Sequence, residues 1–74
     1  MSVFVNFLTG KTVVYICKND DTIMDLKKII FEDQKIPIDL QKIIFNGRIL
    51  QDDEKVIVLS RMTTIFFCVV NKGG

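Results

Sequence analysis

Between the polar run Asn19-Asp20-Asp21 and Pro37 the chain has room for one helix, and its remaining apolar stretches read as strands. Ile23, Leu26 and Ile30 fall within about 60° of one another when each residue advances about 100°, so residues 23–34 are predicted to be helical with one packed stripe. Thr22 with Asp25 three residues on resembles a capping box with a shorter acid, and the acidic residues favour the positive end of the helix that follows. Pro37 bars continuation beyond about Lys35, because the proline ring disfavours helical backbone in the residue before it.

The strands follow from alternation. Met1, Val3, Val5 and Phe7 point one way and Ser2, Phe4, Asn6 and Leu8 the other, as in a half-buried strand. After Thr9-Gly10, Val13, Tyr15 and Cys17 share a face opposite Thr12, Val14 and Ile16, so the two runs form a hairpin. Residues 40–45 read as a strand, Asn46-Gly47 as a tight turn, and residues 48–50 as its return. Asp52, Asp53 and Glu54 mark a surface loop, and residues 64–70 are a last strand. Strand, strand, helix, strand, strand implies an α+β domain in which one helix covers one face of a mixed sheet of four to five strands. The expected core is Val3, Val5, Val13, Tyr15, Cys17, Ile23, Leu26, Ile30, Ile43, Leu50, Ile65 and Phe67, which leaves the other face wet or available for binding. Residues 71–74 have nothing to bury and read as a mobile tail.

With 74 residues there is space for one domain, and the 49% apolar content, single proline and four glycines are enough for it to fold alone. Ten basic against nine acidic side chains provide no field to hold nucleic acid or anionic lipid. The longest apolar runs, such as residues 65–70, are far shorter than the roughly 20 residues of a membrane span, and no basic region followed by an apolar stretch opens the chain. The expectation is a soluble protein without an export signal. Cys17 and Cys68 are too few for a disulfide framework, and they are expected on opposite faces, which points to a reducing compartment. The chain has no histidine, so Ser-His and Cys-His nucleophile pairs and His-ligated zinc are excluded. No enzyme activity, metal or cofactor is expected, and without a usual base Cys68 reads as a small apolar contact.

Phe4-Val5, Leu8-Thr9-Gly10-Lys11-Thr12, Asp21-Thr22-Ile23, Ile36-Pro37, Asp39, Gln41, Ile44-Phe45, Gly47, Leu50, Asp52 and Gly73-Gly74, in that order and without gaps up to about Asp53, resemble the ubiquitin family. The resemblance implies a β-grasp domain over residues 1–70 and a conjugation tail over residues 71–74. It also implies a protein modifier that acts through its C-terminal carboxylate. An activating enzyme adenylates that carboxylate with ATP, cysteines of the activating and conjugating enzymes carry it as a thioester, and a substrate lysine takes it as an isopeptide. Gly74 would be the reacting residue, with Gly73 beside it, because a chain without side chains threads a narrow channel. The implied partners are activating and conjugating enzymes, ligases, deconjugating proteases, receptors and substrate proteins. The implied setting is cytoplasmic and nuclear, and the implied state is a monomer whose apolar face offers a route to self-association. The alternative is a docking domain of the same fold that is never activated.

The family binds receptors through an apolar patch, which corresponds here to Leu8, Ile44 and Cys68 with Phe66 beside them. Alternation independently sends Phe66 and Cys68 outward once Ile65 and Phe67 are assigned inward. Phe4, Val14 and Ile16 are on outward positions too, which widens the apolar area. Lys27 sits at the edge of the helical stripe, where a lone ammonium is costly. The resemblance points to Asp52 as its partner, and the alternative is snorkelling to water. Arg48 and Arg61 stand at the two best-known chain-linking lysines of the family and supply no free amine, which leaves Lys11 as the surface candidate for an acceptor. Val70, Asn71 and Lys72 replace arginine, leucine and arginine of ubiquitin. A small apolar residue at the first of these, and a loop like Asp53-Glu54-Lys55, resemble the Rub branch. About two residues are lost between Lys55 and Leu59, where local differences are expected.

Overall fold

The structure, a computed structural model, describes residues 1–45, 47–61 and 66–70, and at Val58, Ser60, Arg61 and residues 66–70 it describes the backbone alone. The alternating start of the chain forms strand β1 (Ser2–Phe7), which pairs antiparallel with β2 (Thr12–Ile16) so that Val3 faces Tyr15 and Val5 faces Val13. Gly10 makes the turn at φ 90°, its N–H donating to the Phe7 carbonyl at 2.8 Å, while the Phe7 N–H donates to the Lys11 carbonyl at 2.8 Å. Helix α1 (Ile23–Gln34) begins at Thr22, whose hydroxyl accepts from the Asp25 N–H at 3.2 Å while the Asp25 carboxylate accepts from the Thr22 N–H at 2.9 Å. The short acid completes a reciprocal capping box. The helix stops at Lys35, which turns into the left-handed region at φ 60° and donates its N–H to the Phe31 carbonyl at 2.8 Å.

Beyond Pro37 the chain first makes a 3-10 turn over Ile38–Leu40, so strand β3 (Gln41–Phe45) starts one residue later than the alternation suggested. Strand β4 (Arg48–Ile49) returns beside it, Ile44 facing Ile49. A second 3-10 segment, Val56–Arg61, leads to β5 (Phe66–Val70). The sheet order is β2-β1-β5-β3-β4, with β5 parallel to β1 and antiparallel to β3. This mixed five-stranded sheet, with one α-helix among the described residues, is an α+β, β-grasp fold.

The helical stripe Ile23, Leu26 and Ile30 shares one buried cluster with Val3, Val5, Tyr15, Cys17, Ile43 and Leu50, as the periodicity implied. Val13 is only half-buried and packs at the edge of that cluster. Phe7, Phe45, Val56 and Leu59 complete it. The expected core positions Ile65 and Phe67, the turn residue Asn46 and the tail over 71–74 lie outside the described residues or side chains.

The αL position of Lys35 yields a direct expectation. A Cβ at φ 60° carries a steric cost that glycine avoids, so Lys35→Gly raises unfolding free energy by about 0.5–1 kcal/mol. Urea denaturation with an unchanged m-value would register that gain.

Candidate functional site

The face of the sheet turned away from the core is where the sequence placed a binding surface. Leu8 follows β1 and is 67% exposed, carried outward by the turn that Gly10 closes. On the far side of the sheet Ile44 is half-buried, and its cross-strand neighbour Ile49 is 48% exposed. Alternation from the inward Leu50 marks Ile49 as outward, a signal that the sequence reading passed over. On β1 and β2, Phe4 faces Val14, and Ile16 stands opposite Ser2; Phe4, Val14 and Ile16 all expose apolar surface. The β5 register sets Phe66 beside Val5, and Cys68 beside Phe7 and Ile43, while Phe67 pairs with Ile44. The side chains of Phe66 and Cys68, expected to complete the patch, lie outside the described side chains.

Lys27, by contrast, is drawn inward. Only 8% of the residue is exposed, and its ammonium donates to the Asp52 carboxylate at 2.6 Å. Gln41, buried on β3, donates through Nε2 to the carbonyls of Lys27 and Ile36, each at 3.0 Å. Sequence reasoning missed this role: an isolated glutamine at a strand start carries no periodic signal. Lys11 is exposed, with its ammonium 3.4 Å from the Gln34 side-chain oxygen. Of the described lysines that the resemblance singled out, Lys11 is therefore exposed and Lys27 is pinned.

Arg48 forks onto Glu54, its two terminal nitrogens donating at 3.1 and 3.0 Å, and the Gln51 N–H donates to the same carboxylate at 2.6 Å. Those contacts, the guanidinium first, hold the Glu54 carboxyl below its ordinary pKa. The Thr22 N–H likewise lowers Asp25, and the Tyr15 hydroxyl, donating at 2.8 Å, lowers Asp33. Cys17 moves the other way, because burial raises its thiol. Among the described residues no group of three or more acidic or cysteine side chains is placed to hold a metal ion, and no helix is long and apolar enough to cross a membrane. Arg61, Gly73 and Gly74 lie outside the described side chains and residues.

A family model described as the ubiquitin family matches residues 3–61. The matched span holds Leu8, Lys11, Lys27, Ile44, Arg48 and Asp52 and ends before β5.

Two outcomes follow from these contacts. Asp52→Ala strips the buried ammonium of its partner and lowers stability by about 1–3 kcal/mol, whereas Lys27→Met combined with Asp52→Ala restores most of the loss; thermal melts of the three variants compare them. The lowered pKa values of Asp25, Asp33 and Glu54 mean that below about pH 4 the unfolded chain binds protons that the folded chain excludes. Their stabilisation is whole above the unfolded values and disappears as pH falls through the folded ones. The melting temperature therefore declines on acidification below about pH 4, and less steeply in Asp33→Asn.

Proposed function

Because this chain belongs to the ubiquitin family, we propose that it is a protein modifier: the group that is transferred, and not the catalyst of the transfer. The observation that carries this reading is the Gly73-Gly74 pair, placed three residues beyond the last strand of a ubiquitin-family domain. In the proposed sequence the Gly74 carboxylate attacks the α-phosphate of ATP and releases pyrophosphate. A cysteine thiolate of the activating enzyme then displaces AMP to form a thioester, which passes to a conjugating enzyme's cysteine. A substrate lysine amine attacks its carbonyl, expels the thiolate and leaves an isopeptide bond. Two residues without side chains suit a carbonyl that must enter several narrow sites in turn.

The body's contribution is recognition. Leu8, Ile44 and Ile49 present an apolar surface to receptors, ligases and deconjugating proteases in the cytoplasm and nucleus. Val70, where ubiquitin has arginine, directs the chain toward an activating enzyme that accepts a small apolar residue, in the manner of the Rub branch. Arg48, engaged by Glu54, offers no amine for chain growth, so attachment as a single unit or through Lys11 is the expected product. A docking domain that is never activated is the second reading, favoured by exposed apolar surface that extends past this patch to Phe4, Val14 and Ile16.

The two readings part in a charging assay. The chain ending at Gly74 is incubated with ATP, magnesium and each activating enzyme of the same cell, then run on a gel without reductant. A modifier gives a band that thiol removes and that deletion of Gly74 abolishes, while Leu8→Ala leaves charging intact and weakens receptor binding by about tenfold. Failure with every activating enzyme overturns the modifier reading and leaves the docking domain.

A further inference from the structure

The two edges of the sheet are not equivalent. Strand β4 has two residues, one of them Arg48, and so blunts its edge by shortness and charge. Strand β2, at the other edge, runs five residues, Thr-Val-Val-Tyr-Ile, with neither charge nor proline. Its hydrogen-bonding phase follows from the turn and the chain start. Met1 and Cys17 exchange both backbone bonds, at 2.6 and 2.8 Å, and the Phe7 N–H donates to the Lys11 carbonyl. Antiparallel alternation therefore directs Val13 and Tyr15 toward β1 and turns the N–H and C=O of Thr12, Val14 and Ile16 out from the sheet edge. None of these six groups bonds to another described residue. The side chains beside them are apolar and open: Val14 is 47% and Ile16 71% exposed.

On the helix side the same edge borders a groove of about 450 Å³ lined by Val13, Val14, Tyr15, Ile29, Glu32 and Asp33. Its two charged walls are both carboxylates, and Tyr15 fixes one of them through its bond to Asp33. A strand added to β2 sends successive side chains to opposite faces. One row would cover Val14 and Ile16, and the other would enter the acidic groove.

We propose that the outer edge of β2 captures an extended segment of another protein in which apolar residues alternate with lysine or arginine, adding it to the sheet as a sixth strand. A second copy of this chain is a poorer occupant, because its β2 would offer Val13 and Tyr15 to the groove and bring Glu32 and Asp33 of each copy together. The site stands on the β2 edge and is independent of conjugation through Gly74.

The test titrates isotope-labelled protein with an end-blocked peptide of alternating valine and lysine. Binding shifts the amide resonances of Thr12, Val14 and Ile16 and slows their hydrogen exchange. Replacing the peptide's lysines with glutamate weakens it by at least about fivefold, and N-methylating the backbone along its bonding edge abolishes it. Glu32→Lys, on an exposed position, narrows or inverts the preference for the lysine peptide. Equal affinity for both peptides, or shifts confined to Leu8, Ile44 and Ile49, would overturn the proposal. So would protection of Thr12, Val14 and Ile16 in peptide-free protein that sediments as a dimer, which would assign the edge to a second copy.

Discussion

The four amides that open α1 have no carbonyl one turn back to bond, and two of them are satisfied by a segment about thirty residues further along the chain. The Thr22 N–H goes to the Asp25 carboxylate and the Asp25 N–H returns to the Thr22 hydroxyl. The Ile23 and Met24 amides donate to the carbonyls of Glu54 and Asp52, at 2.8 and 3.0 Å. In the other direction the Val56 N–H donates to the Asp21 carbonyl at 2.8 Å. A donor left unsatisfied there would cost about 1–3 kcal/mol, a large part of what so small a domain has to spare. The acid-rich loop is in this way a strap across the helix start.

The strap's other attachments follow from its position. Asp52, held by its carbonyl at Met24, has its carboxylate within reach of Lys27 one turn along the helix, so the ammonium at the edge of the apolar stripe is neutralised where it is buried. Glu54, held by its carbonyl at Ile23, reaches Arg48 and so ties β4 to the same loop. Val56 and Leu59 then enter the core beside the helix rather than remaining on the surface. Gln41 fastens the opposite end of this layer by joining β3 to the carbonyls of Lys27 and Ile36.

What the sequence disclosed was whatever repeats with a period. Strands β1 and β2 and helix α1 were legible because each has an apolar residue at every second position or along one helical stripe, with a cap or breaker at its end. The 3-10 segments at Ile38–Leu40 and Val56–Arg61 were not, since they are too short to show a period, and the second is tied by a long-range bond from Val56 to Asp21. Val56 and Leu59 went unassigned for the same reason. Of the candidate site, Leu8 and Ile44 were named through the resemblance, and the outward position of Ile49 was signalled only by its alternation with the inward Leu50. The ion pair of Lys27 with Asp52 spans 25 residues and followed from the resemblance, because spacing alone left snorkelling open.

The outward apolar residues are not all alike in what they return to the fold. Phe4 and Val14 face each other across β1 and β2, and an aromatic paired with a β-branched residue contributes about 0.2–1 kcal/mol to sheet stability. Ile44 and Ile49 pair in the same way across β3 and β4. Leu8 lies beyond the strand ladder, and Ile16 stands opposite Ser2, with 67% and 71% of their surfaces in water. Neither has a cross-strand apolar neighbour to repay its exposure. They also sit at opposite ends of the β1-β2 hairpin, Leu8 in its turn and Ile16 where β2 runs out toward the helix. Removing either from water is a gain that folding leaves unused.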